Sequence, residues 1–143
     1  MLKDADKNPK YILEMKRTTI SEIHRYKIPK HVMFDVMKAT YLLLGQDLKT
    51  IKTWEEIVHL MKFTSRSSLL YRVKHFDKNS VHPGIVEEVK HLLQPHTLEE
   101  ARAASLGVGT FFQWATDVTQ TRLKPNKTRK PDVAQESTQM EME

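Results

Sequence analysis

Prolines divide this chain into short helical segments, and that division constrains its fold more than any other feature of the sequence. Between the prolines, apolar residues recur at intervals of three and four, which places them on one face of an α-helix. No run alternates apolar and polar residues in the manner of a half-buried strand. Pro29, Pro83 and Pro95 fall where one helix must end or another can begin. We therefore expect an all-α domain, a small bundle of about six short helices.

Local capping signals place the individual helices. A first helix is expected over residues 10–25, and a second over residues 30–44 with Gly45 as its stop. Thr53 and Glu56 have the spacing of a capping box, in which each side chain accepts a hydrogen bond from the other residue's backbone amide. The starts of the further helices are expected at Ser67 or Ser68, Pro83, Thr97 and Ser105.

Charge is unevenly distributed along the chain. The 143 residues carry a net charge of +5, but residues 131–143 contain four of the 18 acidic residues and none of the 23 basic ones. Residues 1–130 therefore have a net charge of +9, from 23 basic and 14 acidic residues. Such a surface favours an anionic partner, whether an acidic protein, a nucleic acid or an anionic membrane. The sequence contains no cysteine, which excludes a disulfide framework, and no apolar run reaches the roughly 18 residues of a membrane span.

Motifs for catalysis and for cofactor binding are missing from the sequence. It contains no Gly-x4-Gly-Lys-Ser/Thr phosphate loop, no Gly-x-Ser-x-Gly nucleophile elbow and, among seven histidines, no His-Glu-x-x-His. Residues 77–88 imitate the acidic spacing of a calcium loop, but Val81 and His82 stand where that loop needs a ligand and a glycine. We therefore expect a non-catalytic module without a cofactor or a metal site, in which residues 77–80 form a turn.

Several motifs occur together in an order and at spacings typical of a known family. Lys27-Ile-Pro29 forms a Lys-x-Pro kink, and residues 69–79 read Leu-Leu-Tyr-Arg-Val-Lys-His-Phe-Asp-Lys-Asn. Further matching segments are Ile20-Ser-Glu-Ile23, Val32 through Gly45, Trp54, Arg102-Ala-Ala-Ser105 and Trp114. Over about residues 18–118, the chain resembles the microtubule-binding domain at the tip of the dynein heavy-chain stalk.

The resemblance implies a function and a set of contact residues. In that family the first, third and sixth helices face tubulin, so the resemblance assigns microtubule binding to Lys27, Lys30, Arg72, Lys74 and Arg102. It implies tubulin or microtubules as the partner, with other dynein or axonemal subunits as further partners. It also implies a location in the cytoplasm on the cytoskeleton, with the cilium or axoneme as a narrower alternative. Membrane binding is not expected, and nucleic-acid binding is disfavoured.

Three parts of the chain are expected, the first two from the same resemblance and the third from the loss of apolar residues after Thr121. Residues 1–18 would be a flexible N-terminus with a remnant of a stalk helix, residues 19–120 the helical domain, and residues 121–143 a disordered tail. The tail is first basic and then acidic, and its basic run consists of Arg122, Lys124, Lys127, Arg129 and Lys130. Two alternatives remain open: a scaffold of the same fold that has lost tubulin binding, and a general basic nucleic-acid binder.

Overall fold

The computed structural model describes residues 9–123, and these residues form eight α-helices and no strand. The all-α prediction is therefore confirmed for this part of the chain, and the count exceeds the expected six or so because the segment expected as the first helix forms two. Short 3-10 turns precede α4, α5 and α6. The helices are α1 (Lys10–Leu13), α2 (Arg17–His24), α3 (His31–Leu43), α4 (Trp54–Met61), α5 (Leu69–Lys74), α6 (Pro83–Leu93), α7 (Leu98–Ala104) and α8 (Leu106–Leu123).

Helix ends lie where the local signals predict them. Thr53 and Glu56 form a complete capping box at the start of α4. Ser68, one of the two alternatives, caps α5 by accepting a hydrogen bond from the amide of Tyr71 at 3.0 Å. Gly45 follows α3 with a φ of +92°, a left-handed conformation that costs glycine little and that ends helices. These ends are set by neighbouring residues, which is why the sequence reveals them.

The single helix expected over residues 10–25 is wrong. The chain instead leaves the helical conformation after Leu13, and Lys16 is extended, with φ of −110° and ψ of 155°. Thr18 and Thr19, which follow the break, are β-branched residues with weak helix propensity. The break lets α1 contact α5 and α8 while α2 contacts α4, α5 and α8. Tertiary packing has overridden an apolar spacing that is compatible with one continuous helix.

Helices α3 and α8 form the centre of the domain. Helix α3 contacts α4, α6, α7 and α8, whereas α8 contacts α1, α2, α3, α6 and α7. Phe111 and Trp114 of α8 and Tyr41 of α3 are almost completely removed from solvent. Phe76 lies against Trp114 with the two rings nearly perpendicular and 5.0 Å apart. None of the described helices combines the length and the apolar character needed to cross a membrane.

Both expected domain boundaries require correction. The boundary at residue 19 is too late, because Ile12 is fully buried and the Tyr11 hydroxyl donates a hydrogen bond to the Asp117 carboxylate. Residues 121–123 form the last turn of α8, and Arg122 donates to the carbonyls of Lys78 and Val81 at 2.7 and 2.8 Å. Arg122 is thus part of the folded domain. The expectations for Lys124, Lys127, Arg129, Lys130 and the acidic end concern residues outside the described range.

Candidate binding surface

The connection between α2 and α3 is an exposed basic segment of the described domain. Residues 25–30 contain Arg25, Lys27 and Lys30 and no carboxylate. Both lysines are exposed, and Ile28 between them is 90 % exposed. Pro29 stiffens the segment by restricting its own φ and the conformation of Ile28. The result is a short basic loop that holds a large aliphatic side chain in solvent.

The side chain of Trp54 fixes this loop to the domain. Trp54 is buried at the first position of α4, and its indole Nε1 donates a hydrogen bond to the carbonyl of Tyr26 at 2.6 Å. Trp54, one of the residues on which the sequence resemblance rests, is therefore also the anchor of the loop. An anchored loop presents its cations in one arrangement, which lowers the entropy lost when a partner binds.

The junction between α7 and α8 lies beside the loop. The Tyr26 hydroxyl donates to the carbonyl of Ala104 at 3.4 Å. One turn further, Gly107 lets α8 approach α2 closely, since a Cβ atom there would lie 2.5 Å from Thr19 Cγ2 and 3.1 Å from Ile23 Cδ1. Leu106, at the start of α8, is 76 % exposed.

We group five exposed side chains, from the loop, from α7 and from the start of α8, as one candidate site. We name it the tip surface, and it consists of Lys27, Ile28, Lys30, Arg102 and Leu106. Lys30 is the N-cap of α3, so the positive end of that helix lies under the same surface. Three cations and a helix N-terminus give this end of the molecule a positive potential, and the two aliphatic side chains give it apolar area to bury.

A shallow groove extends the positive potential from the loop to α4. Among the described residues that line it, Glu55 is the one carboxylate, whereas Arg25, Lys27 and Lys62 are basic. His24 and His59 also line it. The groove is open to solvent, and its chemistry suits an extended acidic segment better than a compact small molecule.

Arg72 lies at the opposite end of α3 and makes contacts within the domain. Its Nη2 donates to the carbonyl of Leu44 and its Nη1 to the Gln46 side chain, both at 3.1 Å. The guanidinium also lies 5.8 Å from the centroid of the Tyr41 ring. The 13 residues of α3 separate this point from Lys30 by about 20 Å. Because its donors satisfy a helix C-terminus, Arg72 supports the fold and does not belong to the tip surface.

The five residues that the resemblance assigned to microtubule binding therefore differ in location and exposure. Lys27, Lys30 and Arg102 are exposed and lie at the tip, whereas Arg72 lies at the far end of α3 and Lys74 is half-buried on α5. Ile28 and Leu106 did not stand out in the sequence as site residues. For Ile28 a signal was present, because it stands between Lys27 and Pro29, outside every apolar helical face.

Comparisons with known proteins yield no relative: no family model, no curated protein and no solved structure matches this chain. The resemblance to the dynein stalk tip consequently stays a prediction based on sequence motifs, and the tip surface is the physical basis for a functional proposal.

Proposed function

We propose that this domain binds the acidic surface of a microtubule through its tip surface and catalyses no reaction. The observation that carries the proposal is the exposure of Lys27, Lys30 and Arg102 on adjoining segments that also expose Ile28 and Leu106. Cations that face an acidic filament accelerate association and orient the domain. The order of the sequence motifs that resemble the dynein stalk tip supports the choice of a microtubule over other acidic proteins.

Apolar burial and ion pairing contribute unequally to such an interface. Burying an exposed isoleucine side chain is worth about 1.5–3 kcal/mol, whereas an ion pair that stays exposed is worth about 0–1 kcal/mol. Ile28 is therefore expected to supply more binding energy than any single cation that remains hydrated. The lysines and Arg102 contribute more to association rate and to specificity, and their contribution weakens with added salt.

The proposed location of the domain and its proposed neighbours are based on the same resemblance. A cytoskeletal location, in the cytoplasm or in a cilium, suits a microtubule-binding module. Other dynein or axonemal subunits are candidate neighbours on the filament. The basic run from Lys124 to Lys130 would add a weak, salt-sensitive attraction to the same acidic surface.

Microtubule co-sedimentation at two ionic strengths tests the proposal. We expect Lys27→Glu combined with Lys30→Glu to weaken binding at least tenfold at low salt, since two attractions become repulsions. Ile28→Ser should also weaken binding, and its effect should persist at high salt because it removes apolar contact area. The matched control is Lys49→Glu with Lys90→Glu, which makes the same change in net charge at two exposed lysines outside the tip surface.

Three outcomes would contradict the proposal. Equal weakening by the control pair would mean that net charge alone drives binding. Tighter binding to duplex DNA than to microtubules at matched salt would favour a nucleic-acid binder. Absence of microtubule binding by the folded wild-type protein would favour a scaffold.

Truncation after Leu123 keeps Arg122 in place and measures the contribution of the basic tail separately.

A further inference from the structure

Two histidines and an aspartate meet where α3 begins and the α6–α7 connection passes over it. His31 and Asp35 are one turn apart on α3, and His96 comes from the connection. Asp35 Oδ2 lies 2.8 Å from His96 Nε2 and 3.2 Å from His31 Nε2. The two imidazole rings are nearly perpendicular, with centroids 5.5 Å apart. One donor atom from each residue lies within 4.8 Å of the other two.

The three side chains differ in how firmly they are held. The His96 side chain is 5 % exposed and Asp35 is buried, so packing fixes both donors in place. The His31 side chain is 80 % exposed and can rotate without disturbing the core. A pair of fixed donors with a movable third allows an ion to enter from solvent.

Glu100 orients His96 from the other side of the ring. Its Oε1 lies 3.0 Å from His96 Nδ1, while Thr97, between the two residues, caps α7 by accepting a hydrogen bond from the amide of Glu100. In the metal-free protein Nε2 donates its proton to Asp35 at 2.8 Å, and a metal ion would displace that proton while Glu100 keeps the one on Nδ1. Histidines that bind metals have such an outer carboxylate as a regular feature, and it raises their basicity.

The spacing of the donors fits a small divalent ion. Zinc binds histidine nitrogen and carboxylate oxygen at about 2.0–2.2 Å, which puts neighbouring donors of a tetrahedral site about 3.3 Å apart. The separations of 2.8 and 3.2 Å from Asp35 Oδ2 to the two histidine nitrogens lie close to that value, and the exposed His31 ring can adjust the third separation. We propose that His31, Asp35 and His96 form a binding site for a divalent transition metal such as Zn²⁺, with water at the fourth position.

This site would join elements that also carry the tip surface. His31 follows Lys30, and α7, which begins just after His96, carries Arg102. An ion held by these ligands would fix the start of α3 to α7. The proposal does not rest on microtubule binding, and a metal titration tests it without a filament.

Calorimetric titration of untagged, chelator-treated protein with Zn²⁺ is the direct test. We expect the wild-type protein to bind one equivalent and to melt at a higher temperature once loaded. His31→Ala should weaken binding tenfold or more while preserving the fold, because that side chain is exposed. His91→Ala removes another exposed histidine, on α6, and should bind as the wild type does. Glu100→Gln should weaken binding by roughly 10–100-fold, as loss of an outer partner usually does.

The visible absorption of bound Co²⁺ provides a second measurement. Replacing His31 would leave it unchanged if that residue only stabilised the fold. Co²⁺ in the wild-type protein should give the intense visible absorption of a tetrahedral complex, and His31→Ala should abolish it. The proposal is overturned if wild-type protein binds neither ion at micromolar concentrations. It is also overturned if His31→Ala binds as tightly as wild type, or if His91→Ala weakens binding as much as His31→Ala does.

Discussion

The two ends of α3 use basic residues in opposite ways. At the C-terminal end, Arg72 donates hydrogen bonds to Leu44 and Gln46 and lies over the Tyr41 ring. At the N-terminal end, Lys27 and Lys30 are exposed in a loop that contains no carboxylate. The C-terminal end offers carbonyl groups that a cation can satisfy, whereas the N-terminal end offers amide groups that repel it. Helix polarity therefore decides which cation supports the fold and which one is presented to a partner.

The N-terminal end depends on one aromatic anchor, so its loss should have the largest effect. Trp54→Ala removes a buried ring and should lower the free energy of unfolding by about 3–5 kcal/mol. Trp54→Phe retains most of the packing but loses the hydrogen bond to the Tyr26 carbonyl. It should lower the free energy of unfolding by about 1 kcal/mol. Urea denaturation followed by circular dichroism measures both changes. Equal losses in the two variants would show that the hydrogen bond, and not the packing, anchors the loop.

Removing the tether at the C-terminal end should have an intermediate effect. Arg72→Ala loses two charge-assisted hydrogen bonds and the contact with Tyr41. It should lower the free energy of unfolding by about 2 kcal/mol. Lys30→Ala, at the opposite end, should change stability by no more than about 0.5 kcal/mol. The same denaturation series measures the pair. If Lys30→Ala proves as costly as Arg72→Ala, the contrast between the two ends is wrong.

The smallest expected effect is a pH dependence located at the N-terminal end. Burial by itself lowers the pKa of His96, but hydrogen bonds to Asp35 and Glu100 outweigh it and raise the pKa above its ordinary value of about 6.5. The folded state then binds this proton more tightly than the unfolded state does. The stabilisation is complete below about pH 6.5 and disappears as pH rises through the folded-state pKa.

Unfolding midpoints at pH 6 and at higher pH, measured with a chelator present, test this expectation. The metal-free wild type should lose stability as the pH rises, and His96→Gln should lose less over the same interval. Arg72→Ala should keep the full pH dependence, since Arg72 lies at the opposite end of α3 from the contact between His96 and Asp35. A slope unchanged in His96→Gln would assign the pH dependence to another group.

Local and distant interactions explain what the sequence could reveal. The capping box of Thr53 and Glu56, the stop at Gly45 and the start at Pro83 each depend on residues a few positions apart, and all three were predicted. The role of Arg72 depends on the carbonyl of Leu44, 28 residues away, which no local pattern encodes.

The cluster of His31, Asp35 and His96 was not predicted, for the same reason. His96 and Asp35 are 61 positions apart, and each pairs locally with a residue four positions away, which by itself predicts only a helix-surface contact. Only the packing of the α6–α7 connection over α3 brings the two pairs together. The sequence motifs singled out the cations of the tip surface, but they grouped Arg72 with them. Only the course of α3 in the structure shows that Arg72 lies at the other end of that helix.

The central position of α8 has a consequence for synthesis of the protein. It is the last of the described helices to leave the ribosome, yet it contacts α1, α2, α3, α6 and α7. Until it emerges, the earlier helices lack the Phe111 and Trp114 side chains that complete their core. Their apolar faces must stay exposed to solvent or to chaperones during that interval. The domain should therefore fold in one late step, and a nascent chain that ends before residue 106 should remain a substrate for quality control.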